Sequence, residues 1–215
     1  MVPPLHRIRP ELLEEVSSYV KSFDPSTIKV DFPEPNDALY RMPTRVLVDL
    51  DGSGCRPCFF KHFSGGMTQT LVRELEGHLR LLQSGLKPDA RAVRLLGIVK
   101  VDDEVGGVLL TYVDHDDWSG LLRYRAMEAP LCIRERWANQ VRETVAELHE
   151  AGVVWGDAKV DNVMVDRNDN VWIIDFGGGY TEGWVDKDKA GTTDGDLQGV
   201  DRIVDYLRNY KLEDC

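Results

Sequence analysis

The sequence predicts an α+β protein of two unequal lobes. Three observations carry that reading. Short apolar, strand-like runs gather in the front half around a single long helical stretch; helical periodicities dominate the back half; and 215 residues suit one domain of ordinary size or two small lobes sharing a cleft. The expected division is residues 1–113, holding an opening helix, an antiparallel sheet and one long helix, and residues 114–215, mainly helical.

The elements follow from spacing, in chain order. Leu12, Leu13, Val16 and Val20 share one face over residues 10–22, the mark of an amphipathic helix. Pro25, Pro33, Pro35 and Pro43 break up residues 24–43, which read as irregular connection. Residues 45–50 and 58–63 are apolar runs flanking Asp51-Gly-Ser-Gly54, a hairpin signal because the glycines permit the positive φ of a tight turn. Leu71, Leu75, Leu79 and Leu82 predict a helix over 68–83. Strands are expected at 92–101 and 107–113 about an acidic turn at 102–106. Trp137, Val141, Val145 and Leu148 place a helix over 134–150, ended by Gly152. Short strands at 163–165 and 171–174 precede a last helix over 197–210, with Val200, Ile203, Val204 and Leu207 inward and Asp196 as N-cap. No internal repeat interrupts this order.

Composition excludes several classes. The chain is 42% hydrophobic and 29% charged, which suits a packed core. Lys+Arg of 26 against Asp+Glu of 37 gives a net charge of −11, which disfavours nucleic acid and anionic membranes as partners. No apolar run is long enough to span a bilayer and the first residues lack a signal core, so a cytoplasmic location is expected. The cysteines, Cys55, Cys58, Cys132 and Cys215, are too few for a disulfide scaffold. Cys55-Arg-Pro-Cys58 has zinc-site spacing and His62 would add a third ligand, yet no second ligand pair follows; the two read as a turn cysteine and a strand cysteine.

The chemistry concentrates in Gly156-Asp157-Ala-Lys159-Val-Asp-Asn162, followed by Ile174-Asp175-Phe-Gly177. A helix ending at Gly152 leads into a loop that presents Asp157, Lys159 and Asn162, and a hairpin through 166–170 returns the chain so that Asp175 arrives at the end of a strand. Magnesium takes oxygen ligands, often one or two from protein with the rest from water and phosphate, and Asn162 and Asp175 suit that task. Asp157 is then placed to orient or deprotonate a hydroxyl, and Lys159 to balance charge on a moving phosphoryl group. By contrast, Asp161, Asp166 and Asp169 read as turn residues and His149 as a structural helix-end residue.

The order D-x-K-x-x-N and then D-F-G resembles the catalytic and metal-binding loops of the protein-kinase-like superfamily. Trp155-Gly-Asp-Ala-Lys159, Ile174-Asp-Phe-Gly-Gly-Gly179 and Gly183-Trp-Val-Asp186 are similar to segments of a small fungal kinase-like group. The resemblance spans residues 45–210 and implies a two-lobed kinase-like fold with a shortened C-terminal lobe. It also implies ATP and Mg2+ as cofactors. Within it, Lys61 resembles the strand lysine that contacts nucleotide phosphates, and Glu74, with Glu76 as runner-up, the helix glutamate that pairs with it. Thr111 and Val113 fall where the hinge would meet an adenine edge, and Asp196 resembles the buried aspartate beneath the catalytic loop.

Departures from the pattern shape the expected function. No G-x-G-x-x-G precedes Lys61, Trp155-Gly156 stands where protein kinases carry His-Arg, and no A-P-E-like segment follows Asp175. The resemblance therefore implies an ATP- and magnesium-dependent phosphotransferase whose partners are a nucleotide and a small molecule rather than a protein. The alternatives are a pseudokinase-type binding module without turnover, and a kinase-like scaffold repurposed for another group transfer such as aminoacyl-tRNA-dependent cyclodipeptide synthesis. Only the last would bring in tRNA.

Overall fold

The structure, a computed structural model, describes residues 8–31, 44–63, 68–102, 104–115 and 120–209. Parts of the expected connection at 24–43 (residues 32–43), of the acidic stretch at 114–117, and of the turn at 102–106 lie outside the described residues, as does Tyr210. The chain divides into two compact units, Met1–Leu82 with Arg94–Tyr112, and Gln83–Val93 with Val113–Cys215. The class is α+β and kinase-like, with a short C-terminal lobe.

The first unit is a curled six-stranded sheet in the order β1-β5-β6-β4-β3-β2. Its strands are β1 (Lys21–Phe23), β2 (Lys29–Val30), β3 (Arg45–Asp49), β4 (Cys55–His62), β5 (Leu95–Val101) and β6 (Glu104–Thr111). The β3–β4 hairpin pairs Asp49 with Cys55, and its turn is held by Asp49 Oδ1, which accepts the Gly52 N–H at 2.7 Å. Gly52 and Gly54 have φ of +88° and +124°, the left-handed backbone that reserved these positions for glycine. Successive side chains of a strand point to opposite faces, and the sheet follows this except where β5 bulges between Leu95 and Gly97, which returns Ile98 to the face of Leu95. Val108 and Leu110 of β6 join Leu95 and Ile98 beneath helices α1 (Pro10–Ser17) and α2 (Thr68–Gln83), while Leu109 joins Val46, Val48, Cys58 and Val99 on the other face.

The same alternation separates the cysteines. Cys55 lies on β4 rather than in the turn and is exposed, whereas Cys58, three residues on, is buried on the opposite side, where burial pushes its thiol pKa up. Three other expectations need correction. The opening helix stops at Ser17, where the Ser18 hydroxyl donates to Glu15 O at 2.7 Å, and Lys21–Phe23 leave it to pair in parallel with Gly97–Val99. The Phe23 ring lies directly over Gly97, where a β-carbon would meet it at 2.5 Å. Lys29–Val30 is also a strand, on the open edge of β3, and β6 begins at Glu104 rather than 107.

The second unit packs α4 (Leu131–Glu150) against α5 (Thr193–Asn209), with a two-stranded ribbon, β7 (Val163–Val165) and β8 (Val171–Ile173), and a short helix α3 (Leu122–Glu128). Trp137, Val141, Val145 and Leu148 of α4 and Val200, Ile203, Val204 and Leu207 of α5 are all buried. Residues 83–93 belong here because they edge the ribbon: the Val93 N–H donates to Ile173 O at 3.0 Å and the Ile173 N–H to Arg91 O at 2.8 Å. Helix α3 escaped the sequence reading since only Leu122 and Ala126 of its seven residues are buried, too few to show a period. Helix α4 starts at Leu131, three residues before the expected 134, directly after Pro130.

Helix α5 starts four residues earlier than expected, at Thr193, so Asp196 is not its N-cap. Thr192 caps it instead, its Oγ1 accepting the Gly195 N–H at 3.1 Å, and this releases the Asp196 carboxylate for other work. One turn later, Gly199 packs so closely on the Ala158 backbone that any β-carbon would overlap the Ala158 carbonyl oxygen. An alanine in a free helix would gain about 1 kcal/mol over glycine. Here Gly199→Ala is expected to lose stability instead, by about 1–3 kcal/mol, through the enforced shift of α5 or the loop. Urea unfolding of the two proteins reads the sign directly.

Candidate active site

Helix α4 ends in a glycine-dependent reversal. Gly152 has φ of +74°; its N–H donates to His149 O at 2.9 Å and the Val153 N–H to Leu148 O at 2.8 Å, the paired bonds of a Schellman turn. The chain then crosses the first turn of α5, where Asp196, 1% exposed, collects it. Asp196 Oδ2 accepts the Trp155 N–H at 2.7 Å and lies 2.9 Å from His149 Nε2, and Oδ1 accepts the Gly156 N–H at 2.8 Å. Trp155 is buried and donates from its indole to Ile174 O at 3.0 Å, so it fills core rather than facing a ligand. Gly156 sits at φ +90°, with Gly178 Cα only 3.2 Å from where its β-carbon would stand.

Beyond this anchor the polar groups converge. Asp157 is 8% exposed and both its carboxylate oxygens are engaged. Oδ1 accepts the Thr181 hydroxyl at 2.9 Å; Oδ2 accepts Asn162 Nδ2 at 3.0 Å and the Lys159 ammonium. Lys159 also donates to Thr181 Oγ1 at 2.9 Å, closing a ring of three side chains. Asn162 Nδ2 further donates to the Asp157 carbonyl at 2.9 Å, so the amide's orientation is set by its N–H groups and its oxygen is left out of that contact. The 3-10 turn Val160–Asn162 that carries it is pinned from outside by Arg123 of α3, donating to Asp161 Oδ2 at 2.6 Å.

Asp175 reaches the same neighbourhood through the ribbon. The Ile174 N–H donates to Asn162 O at 3.0 Å, which delivers the next residue, Asp175, beside the Asn162 turn. Asp175 adopts φ of +61°, a left-handed conformation unusual for a side chain with a β-carbon and a local strain characteristic of functional turns. Its Oδ1 accepts the Gly177 N–H at 3.3 Å. One amide oxygen and one carboxylate make a hard, oxygen-only donor pair, which fits magnesium and would suit zinc poorly. Among the described residues no group of three or more His, Cys, Asp or Glu side chains gathers as a metal cage.

In the first unit, Lys61 on β4 donates from Nζ to Glu74 Oε2 of α2 at 2.7 Å. This settles the choice between the two glutamates by geometry: Glu76 points outward and takes Arg9 at 2.8 Å. Glu74 is 1% exposed, and its other oxygen, Oε1, lies 3.3 Å from Nε2 of the fully buried His78. Burial alone would raise the Glu74 pKa; the His78 hydrogen bond and the Lys61 charge outweigh it and bring the value down to about 2. Thr111 closes β6, its N–H donating to Arg94 O at 2.9 Å and its hydroxyl accepting the Arg94 N–H at 3.0 Å; Val113 follows as a buried residue of the second unit.

Two participants, Thr181 and His78, were not found from the sequence. Thr181 had no signal, since nothing in its spacing from Asp175 implies a return to Asp157. His78 had one: it lies four residues after Glu74 on a helix, the interval at which side chains meet. The turn aspartates do more than turn. Asp166 Oδ1 accepts the Asn168 and Asn170 N–H groups, as expected of it, but Asp169 also pairs with Arg125 at 3.2 Å and accepts the Trp137 indole at its carbonyl.

The low Glu74 pKa has a signed consequence. A carboxyl whose folded pKa is depressed stabilises the fold above its ordinary value near 4.5, and that stability drains away as pH falls toward about 2. The difference in unfolding free energy between the wild type and Glu74→Gln should therefore shrink by on the order of 3 kcal/mol across that window. Urea titrations at a series of acidic pH values measure it.

Comparison with known sequences places these loops. The protein kinase domain family matches residues 64–188, more than half of the chain. Among curated proteins, the chain is 35% identical over 69 residues to serine/threonine-protein kinase PKH1 of Saccharomyces cerevisiae, covering 32% of this chain and 9% of that one. It is 27% identical over 88 residues to receptor-interacting serine/threonine-protein kinase 1 of Homo sapiens, covering 41% and 13%. It is 43% identical over 42 residues to the hormonally up-regulated neu tumor-associated kinase of Mus musculus, covering 20% and 6%. The matches thus span only a small part of these longer relatives. The chain belongs to the protein kinase domain family.

Proposed function

We propose that the chain is an ATP- and Mg2+-dependent phosphotransferase acting on the hydroxyl of a small molecule. The observation that carries this reading is the Asp157 carboxylate, held by Lys159, Asn162 and Thr181 with Asp175 delivered beside Asn162. In the proposed reaction Asp157 orients the acceptor hydroxyl and takes its proton as the oxygen bonds to the γ-phosphorus of ATP. The bond from that phosphorus to the bridging oxygen breaks and ADP leaves. Lys159 meets the charge of the transferring group. Lys61 of the first unit, steadied by Glu74, would serve the α- and β-phosphates, and the chain from Thr111 to Val113 the adenine. Asn162 and Asp175 would hold Mg2+, whose contribution is to neutralise charge on the phosphate oxygens.

A small acceptor is favoured over a protein by the segment after Asp175. It returns to Asp157 as early as Thr181, whose hydroxyl already occupies Oδ1, and α5 begins at Thr193. That leaves little chain to form a platform for a peptide. The nearer kinship with a small fungal kinase-like group rests on the Trp155–Lys159, Ile174–Gly179 and Gly183–Asp186 segments alone.

The test is ADP release from Mg–ATP with a panel of hydroxylated metabolites and a generic serine peptide. Turnover should appear with a metabolite and not with the peptide, fall about 10²–10⁴-fold in Asp157→Asn, and leave that variant's nucleotide affinity intact. Asp175→Ala should lose Mg–ATP binding while keeping its melting temperature. Undiminished turnover in Asp157→Asn would remove the base assignment. Nucleotide binding without turnover on any acceptor would instead establish a binding module.

A further inference from the structure

Lys61 and Glu74 form a pair in which each carboxylate oxygen has its own partner: Oε2 faces Lys61 Nζ at 2.7 Å, and Oε1 faces His78 Nε2 at 3.3 Å. Residues 74 and 78 sit one turn apart on α2, so the imidazole and the carboxylate are stacked along a single helix face. That face is otherwise apolar: Leu71, Leu75 and Leu79 of the same helix are buried against Leu95, Ile98, Val108 and Leu110 of the sheet. An imidazole with no exposed surface is a costly choice among leucines, and a hydrogen bond to a charged acceptor is what offsets that cost. An ionised carboxylate only accepts, so Nε2 must carry a proton.

We infer that His78 is a positioning residue of the nucleotide site, its Nε2–H gripping Glu74 Oε1 so that Oε2 is presented to Lys61. A glutamate side chain has three torsions, and one contact at Lys61 leaves it free to swing; a second contact on the other oxygen fixes the carboxylate plane. Lys61 is then held from below, its side chain still 28% exposed, so that the ammonium can take a second anionic partner. The consequence for nucleotide rests on the phosphate-handling role proposed for Lys61; the grip itself does not.

The experiment therefore has two arms on the intact chain. The first is spectroscopic: long-range ¹H–¹⁵N correlation at neutral pH should show His78 with a proton on Nε2, and Glu74→Gln should shift that nitrogen. An Nε2 without a proton, or one indifferent to Glu74→Gln, overturns the inference whatever the protein's activity. The second compares His78→Leu, which keeps the apolar bulk, with His78→Gln, whose amide N–H can reach the same oxygen. His78→Leu should raise KM for ATP about tenfold, as expected for losing a hydrogen bond to a charged group, with a smaller change in kcat. His78→Gln should recover most of the loss at a similar melting temperature. Equal defects in both variants, or none in either, overturn it. Failure of the Lys61 role would show separately, as unchanged ATP affinity in Lys61→Met while the tautomer result stands.

Discussion

One buried carboxylate organises the second unit. Asp196 takes two backbone N–H groups from successive residues, Trp155 and Gly156, and a third contact from His149 at the end of α4. Backbone amides turned inward in a loop are expensive unless something accepts them, and a charged acceptor does so about twice as strongly as a neutral one. The arrangement works because Thr192, not Asp196, caps α5, and because Gly199 lets the helix approach Ala158 without a side chain between them. Helix end, loop and helix start are thereby locked into one piece, and the loop's next residue is Asp157.

From that fixed point the polar groups are placed by backbone connections rather than by long side chains. Asn162 is tied to Asp157 through two bonds from its amide nitrogen, and Ile174 is tied to Asn162 through its own N–H, which brings Asp175 into position. In a chain of net charge −11, Lys159 supplies a local cation where two acidic side chains gather. The first unit follows a different plan. There a strand lysine and a helix glutamate meet over an apolar core, and the burial that would neutralise the glutamate is overcome by its two partners. Both plans give charged groups a fixed aim at little entropic cost.

Much of this was legible in the sequence, and what was not has physical reasons. The helix at 68–83 and the β3–β4 hairpin were readable because leucine spacing and two glycines encode them locally. Asp157, Lys159, Asn162 and Asp175 could be singled out because they stand in the D-x-K-x-x-N and D-F-G pattern, and the structure ties them together through hydrogen bonds at Asp157 and Asn162. Strand β1 was hidden because its three residues owe their conformation to Gly97 and the strand beyond it, a partner more than seventy positions away. Asp196 was matched to a buried aspartate beneath the loop, which the structure bears out, but its reading as the cap of α5 fails, since the true cap lies in a stretch of Gly, Thr and Asp where several residues could start a helix. Thr181 could not be read at all, because its place depends on how Gly177-Gly-Gly179 folds back over Gly156 and Asp157.

The account stands on Asp196 setting the loop, and amide hydrogen exchange tests that most directly. In the wild type the Trp155 and Gly156 amides should exchange about as slowly as the β7–β8 ribbon amides. In Asp196→Ala they should exchange orders of magnitude faster while the ribbon stays protected. Equal protection of both amides with and without the Asp196 carboxylate would contradict the account.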